Sequence, residues 1–147
     1  MLFVALLFTI ASQAQAVNPF VTDGCTGYFD GTHKHPKLWY DCCVEHDFRF
    51  WVGGTKLQKH AADSRLKECV KEKGAPLNAE VMYLGVKLGH LSPFKLKDKQ
   101  WGNGLGQPQM NRPLTEAERG LFVEEIQKAD LNPELRTTFL DYLSKIY

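Results

Sequence analysis

The chain has 147 residues, of which 44% are hydrophobic, and its formal net charge at pH 7 is +1. This length allows one domain with a modest core. A near-neutral chain lacks the basic surface that nucleic-acid binding requires, so we exclude a nucleic-acid partner.

The first 16 residues form an apolar segment without a charged side chain, and they end in Ala14-Gln15-Ala16. Such a segment before a small-x-small site is typical of a secretory signal peptide, whereas a membrane-spanning helix needs about 20 residues. No later apolar run is long enough to span a bilayer. We therefore predict a signal peptide over 1–16 and a soluble mature chain that is secreted or periplasmic and has no transmembrane segment.

A loop and a first helix follow. Residues 17–36 are rich in Gly, Thr, Asp and aromatic residues without a helical period, which indicates an extended segment and a loop. Pro36 suits the first turn of a helix, and apolar residues then recur at spacings of three and four up to about Val52. Gly53 and Gly54 are expected to end this helix.

Two more helices are predicted next. Thr55 is a suitable N-cap for a helix over 56–73, and a third helix is expected over 76–88. The expected inner face of the second helix consists of Ala62, Leu66, Cys69 and Val70, and the expected anchors of the third are Val81, Met82 and Val86.

The C-terminal part is predicted to be an irregular segment followed by a helical pair. Gly and Pro are frequent over 89–113, where lysines at 95, 97 and 99 near two aromatic residues suit either an anionic lipid surface or a solvated loop. Thr115 with Glu118 makes a capping box for a helix to about residue 129. Asn132 opens a last helix, whose apolar side is Leu135, Phe139, Tyr142, Leu143 and Ile146. We expect a mainly α fold with a core over 17–112 and a helical extension over 113–147.

The four cysteines form an even set in a chain that is predicted to be exported, which favours two disulfides over free thiols. A metal cluster is the alternative. Zinc sites usually pair their ligands as Cys-x-x-Cys, and the adjacent Cys42 and Cys43 suit that geometry poorly.

The most informative segment is Cys42-Cys43-Val44-Glu45-His46-Asp47. A helix turns about 100° per residue, so residues four apart share a face. Cys42 therefore lies under His46, and Cys43 lies under Asp47. Two cysteines that point in different directions can tie one helix to two parts of the chain, and the helix then presents a base and a carboxylate one turn later. This arrangement favours an enzyme.

Asp63 is predicted to lie at the edge of the inner face of the second helix. A carboxylate there needs a partner, because burying an unpaired charge is costly. If Cys69 is bonded to Cys42, the two helices are antiparallel neighbours and Asp63 comes close to His46. That pairing leaves Cys25 for Cys43. A charge pair with a lysine is the alternative role for Asp63.

A histidine that is held by a buried carboxylate can take a proton from water with its other ring nitrogen. No serine or free cysteine is available here as a nucleophile, so we expect water to attack. Asp47 beside a carbonyl-rich loop offers oxygen ligands that suit Ca²⁺, an ion that polarises an ester carbonyl. These residues predict calcium-assisted ester hydrolysis with His46 as general base. A structural His46 and a solvated Asp47 are the alternatives.

The motif Cys-Cys-x-x-His-Asp over 42–47, with Asp63 six residues before Cys69, resembles the signature of the secreted phospholipase A2 superfamily. Over about residues 20–105 the chain is similar to small exported bacterial phospholipase A2-like proteins, which share the Gly-Cys loop and the turn over 51–55. The resemblance implies a core of antiparallel, disulfide-linked helices. It also implies that His46 activates water and that Asp63 supports His46.

The resemblance further implies that Asp47 binds Ca²⁺ together with loop carbonyls, which by position are those of Gly24, Thr26 and Tyr28. It implies the disulfides Cys25–Cys43 and Cys42–Cys69.

The chain departs from the family pattern beside these residues. Arg49 and Ala62 stand where the family usually has a disulfide, so both halves of that bond are absent together. Phe50 stands where a tyrosine hydroxyl usually bonds the supporting Asp, and Tyr83 of the third helix is our candidate to replace that hydroxyl. The loop over 26–31 has fewer glycines than the family's, and within it the Asp30 side chain is a candidate ligand.

We therefore expect a calcium-dependent phospholipase A2-like enzyme that cleaves an acyl ester of glycerophospholipids at a membrane or micelle surface. A non-catalytic module on the same scaffold that binds lipid or protein is the alternative. A third possibility is an envelope-associated structural protein whose C-terminal helices contact a partner.

Overall fold

The structure is a computed structural model that describes residues 16–91, 104–106 and 111–146. These residues form five α-helices and no β-strand, which confirms the predicted mainly α fold. The predicted signal peptide, apart from its last residue, and the lysines at 95, 97 and 99 lie outside the described residues.

The helices begin where the sequence predicts, with one exception. Thr55 forms a capping box with Gln58, Thr115 forms one with Glu118, and the Asn132 side chain accepts a hydrogen bond from the Leu135 backbone N–H. Each cap satisfies backbone N–H groups that a helix end leaves without partners. The helices are α1 (Tyr40–Val52), α2 (Lys56–Glu72), α3 (Pro76–Leu91), α4 (Glu116–Lys128) and α5 (Pro133–Lys145).

The exception is α1, which begins at Tyr40, so the predicted start at Pro36 is wrong. The backbone N–H of Trp39 donates to the Asp30 carbonyl at 3.0 Å, and its indole N–H donates to the Phe29 carbonyl at 2.6 Å. These bonds to the preceding loop hold the segment before Tyr40 in turns.

The inner face of α2 is buried as predicted, but α3 differs from the prediction. It runs to Leu91, and Val81 is 54% exposed, so Val81 is wrong as an anchor. Met82 is buried as expected, together with Ala79 one turn earlier. Apolar residues lie on both sides of α3, and the sequence alone does not tell which side faces the core.

Two apolar clusters lie on opposite sides of α1, which is why nearly all of this helix is buried. The first surrounds the disulfides and includes residues of α2 and α3. The second joins α1 to α4 and α5, and in it Phe48 stacks on Phe139 with ring centroids 3.8 Å apart. The C-terminal helices therefore pack directly on α1, and the division of the chain at residue 113 stays a prediction.

All four cysteines form disulfides, in the pairing that the resemblance implies. Cys25 is bonded to Cys43 and Cys42 to Cys69. The first ties the loop before α1 to that helix, and the second ties α1 to α2. None of the helices in the described part of the chain is both long and apolar enough to cross a membrane.

Glu118 at the start of α4 provides a test of how stability depends on pH. Its carboxylate accepts hydrogen bonds from the Arg112 guanidinium at 2.6 and 2.8 Å and from the Thr115 backbone N–H at 2.8 Å. These bonds, chiefly those from Arg112, lower the pKa of Glu118 from 4.5 to about 2. The ionised form therefore stabilises the fold above about pH 4.5, and this contribution is lost as the pH falls toward 2.

We expect Glu118→Gln to lower the free energy of unfolding at pH 7, and the difference from the wild type to shrink between pH 5 and pH 2. Chemical denaturation of both proteins across this pH range measures the difference in the free energy of unfolding. Glu116→Gln is the matched control, because the Glu116 side chain in the same turn is 93% exposed. If Glu118→Gln lowers the free energy of unfolding by the same amount at every pH down to pH 2, the prediction is contradicted.

Candidate active site

His46 and Asp63 meet between α1 and α2, one turn from the Cys42–Cys69 disulfide. Nε2 of His46 lies 3.0 Å from Oδ1 of Asp63. Asp63 is fully buried, and His46 is 9% exposed. The structure thus brings together the two residues that the sequence predicts as base and support, and their catalytic roles stay predictions.

The contact with Asp63 bears on the roles of the two ring nitrogens of His46. An ionised carboxylate only accepts hydrogen bonds, so we predict that Nε2 carries the proton and that Nδ1 is the basic nitrogen of the neutral ring. The ring of Phe50, one turn further along α1, lies with its centroid 4.6 Å from that of His46 and is tilted by 35°. Asp63 and Phe50 together restrict the orientation of the imidazole.

Asp47 is buried on the neighbouring side of α1, where a threonine connects it to the preceding loop. The Thr22 hydroxyl donates to Oδ2 of Asp47 at 2.7 Å and accepts from the Gly24 backbone N–H at 3.1 Å. The sequence analysis missed Thr22, because it lies in an irregular segment where no periodicity relates it to α1. It fixes the carboxylate of Asp47 relative to the loop.

The loop predicted to supply calcium ligands is organised by Asp30, whose Oδ1 accepts the Cys25 backbone N–H at 2.8 Å. Gly24 has a φ of 75°, and a Cβ there would meet Oδ1 of Asp30 at 2.5 Å and the Tyr40 ring at 2.7 Å. Only glycine fits this close approach.

Two other predicted ligands, Thr26 and Tyr28, lie in the same loop. The Thr26 hydroxyl donates to Asp23 at 2.7 Å. The Tyr28 hydroxyl accepts a hydrogen bond from Asn78 of α3 at 3.0 Å. Calcium coordination by the carbonyls of Gly24, Thr26 and Tyr28 stays a prediction.

The electrostatics around this loop favour a cation. Burial raises the pKa of Tyr40, and so do the carboxylates of Asp30, Asp41, Asp47 and Asp23. Within the described ranges, no three His, Cys, Asp or Glu side chains are placed to hold a metal ion. The oxygen groups that the structure places together here are the Asp47 carboxylate and the Thr22 hydroxyl, and oxygen ligands are those that suit Ca²⁺.

Glu45, beside His46, is a third buried carboxylate, and the sequence analysis left it without a role. It pairs with Arg49 at 2.6 Å and with Arg65 of α2 at 3.4 Å. The Arg49 guanidinium also lies over the ring of Tyr142, 4.3 Å from its centroid. These contacts connect α1 to α2 and α5. The spacing of four residues between Glu45 and Arg49 was the signal available in the sequence.

Tyr83 and Ala62 are the remaining residues that the resemblance in sequence singled out. Tyr83 lies on α3, with the Lys67 ammonium 4.9 Å from its ring centroid. Its hydrogen bond to Asp63 stays a prediction. Ala62 is buried beside Asp63 on α2.

Comparison of the chain with protein-family models, with curated proteins and with solved structures found no match.

Proposed function

We propose that this protein is an exported, calcium-dependent enzyme of the phospholipase A2 type, which hydrolyses an acyl ester of glycerophospholipids at a membrane or micelle surface. The observation that carries the proposal is the buried contact of His46 with Asp63, at 3.0 Å. Asp47, the next residue, is also buried, and it is the carboxylate that we assign to calcium.

His46 acts as the general base in the proposed reaction. Asp63 accepts a hydrogen bond from the Nε2 N–H and holds the ring, while Nδ1 removes a proton from water as the water oxygen bonds to the ester carbonyl carbon. The bond between the carbonyl carbon and the glycerol oxygen then breaks. The imidazolium, stabilised by Asp63, returns the proton to the leaving alkoxide, so the products are a fatty acid and a lysophospholipid.

Asp47 and the carbonyls of Gly24, Thr26 and Tyr28 are the residues that would hold calcium. When it is bound, Ca²⁺ supplies positive charge that stabilises the developing oxyanion. Thr22 holds the Asp47 carboxylate in place, and the surrounding carboxylates lower the local potential.

The two disulfides support the proposed export of the protein and its proposed phospholipase A2-like core. Such bonds persist in oxidising compartments, which fits export. The Cys42–Cys69 bond between antiparallel helices also supports a phospholipase A2-like core.

The experiment is an assay of the purified, oxidised chain on glycerophospholipid vesicles, first with calcium, then with chelator, then with calcium restored. We expect equal amounts of fatty acid and lysophospholipid, loss of turnover with chelator, and recovery. Absence of both calcium binding and turnover on phospholipids would refute the proposal and favour a non-catalytic module.

Replacing Asp47 by Asn is expected to raise the calcium concentration for half-maximal activity by about tenfold or more, because the predicted site loses a charged ligand. A calcium titration of the hydrolysis rate measures this shift. Asp141→Asn is the matched control, since Asp141 is an exposed carboxylate on α5 and is not one of the acidic residues around the loop, and less than about a twofold change is expected. An unchanged calcium requirement in Asp47→Asn would argue against this assignment.

A further inference from the structure

The outer side of α3 carries a row of exposed apolar side chains, which we call the outer stripe. Leu77 is 81% exposed, Val81 54%, Leu84 59% and Leu88 56%. Single exposed apolar residues are ordinary on a protein surface, but a contiguous row indicates an interaction site.

The spacing of the outer stripe is that of a helix–helix seam. Its members follow one another at intervals of four, three and four residues, as do the core positions of a coiled coil. Ala79 and Met82, which pack into the first cluster, lie on the opposite side of the helix. Among the described residues, the core therefore accounts for one side of α3, and the outer stripe stays exposed.

A glycine beside the outer stripe supports a close helical neighbour. Gly85 lies within α3, where glycine is unfavourable. A Cβ there would meet no atom of the described residues within 4 Å, so packing inside that part of the chain does not explain it. Glycine allows a second backbone to approach closely.

We propose that the outer stripe is the interface of a homodimer in which α3 packs antiparallel against α3 of a second copy. A two-fold axis between Val81 and Leu84 would place Val81 of one copy against Leu84 of the other, and Leu77 against Leu88. The row is thus self-complementary, as a two-fold interface requires.

The charges beside the outer stripe favour this antiparallel arrangement. With the same axis, Glu80 of each copy faces Lys87 of the other along the edge of the seam, which gives two opposite-charge pairs. In a parallel pair Glu80 would face Gly85 instead. The Glu80 side chain pairs with Lys67 and Lys71 of α2 but is 54% exposed, so it can make a further contact.

The edge of the seam carries Glu80 as well as Lys87. An anionic lipid surface attracts cations alone, so this edge favours a second copy of the chain as the partner. The seam of four side chains is smaller than the roughly 800 Å² per partner that is usual for stable complexes. We therefore expect a reversible dimer with a Kd of roughly 10 μM to 1 mM.

Sedimentation of the oxidised full chain over a concentration series tests the interface. We expect a reversible monomer–dimer equilibrium for the wild type, and at least about a tenfold higher Kd for Val81→Lys, which places a charge in the seam. Leu57→Lys is the matched control, because Leu57 is 78% exposed on α2 outside the outer stripe, and it should dimerise as the wild type does. Unchanged circular dichroism and melting temperature establish that both variants are folded.

Mixing two charge variants tests the register. Glu80→Lys and Lys87→Glu each turn both opposite-charge pairs into repulsive ones, so each variant alone should have a roughly fivefold to tenfold higher Kd. An equimolar mixture restores both pairs in the heterodimer and should associate more tightly than either variant alone.

Four results would overturn the proposal. They are a wild type that stays monomeric up to about 1 mM, a dimer that tolerates Val81→Lys, a mixture no tighter than its components, and a monomer that binds anionic vesicles through Val81.

Discussion

Replacing His46 by Gln is expected to lower kcat for phospholipid hydrolysis by about 10³-fold or more, because the variant has no group to take the proton from water. The fold should persist, since the Gln amide N–H can still donate to the Asp63 carboxylate and leave no buried charge without a donor. Steady-state rates at saturating calcium, with circular dichroism as a check of folding, measure the effect.

His60→Gln is the control for this variant. His60 is an exposed histidine on α2, one turn before Asp63, and it contacts the Lys87 ammonium at 3.2 Å. We expect its kcat to stay within about twofold of the wild type, because the residue lies on the surface away from the His46 ring. Hydrolysis that persists in His46→Gln at the wild-type rate would remove His46 from the mechanism.

Replacing both Cys42 and Cys69 by Ala is expected to lower the free energy of unfolding by about 3–4 kcal/mol, given the sequence separation of 27 residues. Chain entropy of the unfolded state gives most of this loss. The same change should lower kcat at saturating calcium, because the disulfide holds α1 and α2 in the register that joins His46 to Asp63. Urea denaturation and initial rates measure the two effects.

Replacing Cys25 and Cys43 by Ala separates the two effects. The sequence separation is 18 residues, so the stability loss should be similar, about 3 kcal/mol. This bond fixes the loop beside Asp47, so we expect a higher calcium requirement and a kcat at saturating calcium closer to that of the wild type. A full kcat without the Cys42–Cys69 bond would show that the disulfide does not set the catalytic contact.

Local signals account for the elements that the sequence predicts well. Thr55 and Thr115 each lie three residues before the side chain that completes a capping box, so both helix starts are decided within one turn. The start of α1 is decided by bonds from Trp39 to Phe29 and Asp30, about ten residues away. No local pattern encodes those bonds, and the predicted start was therefore wrong.

The same distinction applies to the candidate site. Helical spacing and one disulfide are enough to bring His46 to Asp63, because both lie on regular helices whose faces can be calculated. Thr22 reaches α1 from an irregular segment that no period relates to that helix, so the sequence did not indicate its contact with Asp47. Arg65 lies on α2 one turn before Cys69, and the same helical spacing could have indicated its contact with Glu45.

The state of the His46 ring tests the central claim most directly, and ¹⁵N NMR of the oxidised protein reports it. At a pH where the imidazole is neutral, we predict a proton on Nε2 and none on Nδ1, and we predict that Asp63→Asn shifts this balance between the two nitrogens. A proton on Nδ1 in the wild type, or a ring that does not respond to Asp63→Asn, would contradict the assignment of His46 as a base held by Asp63.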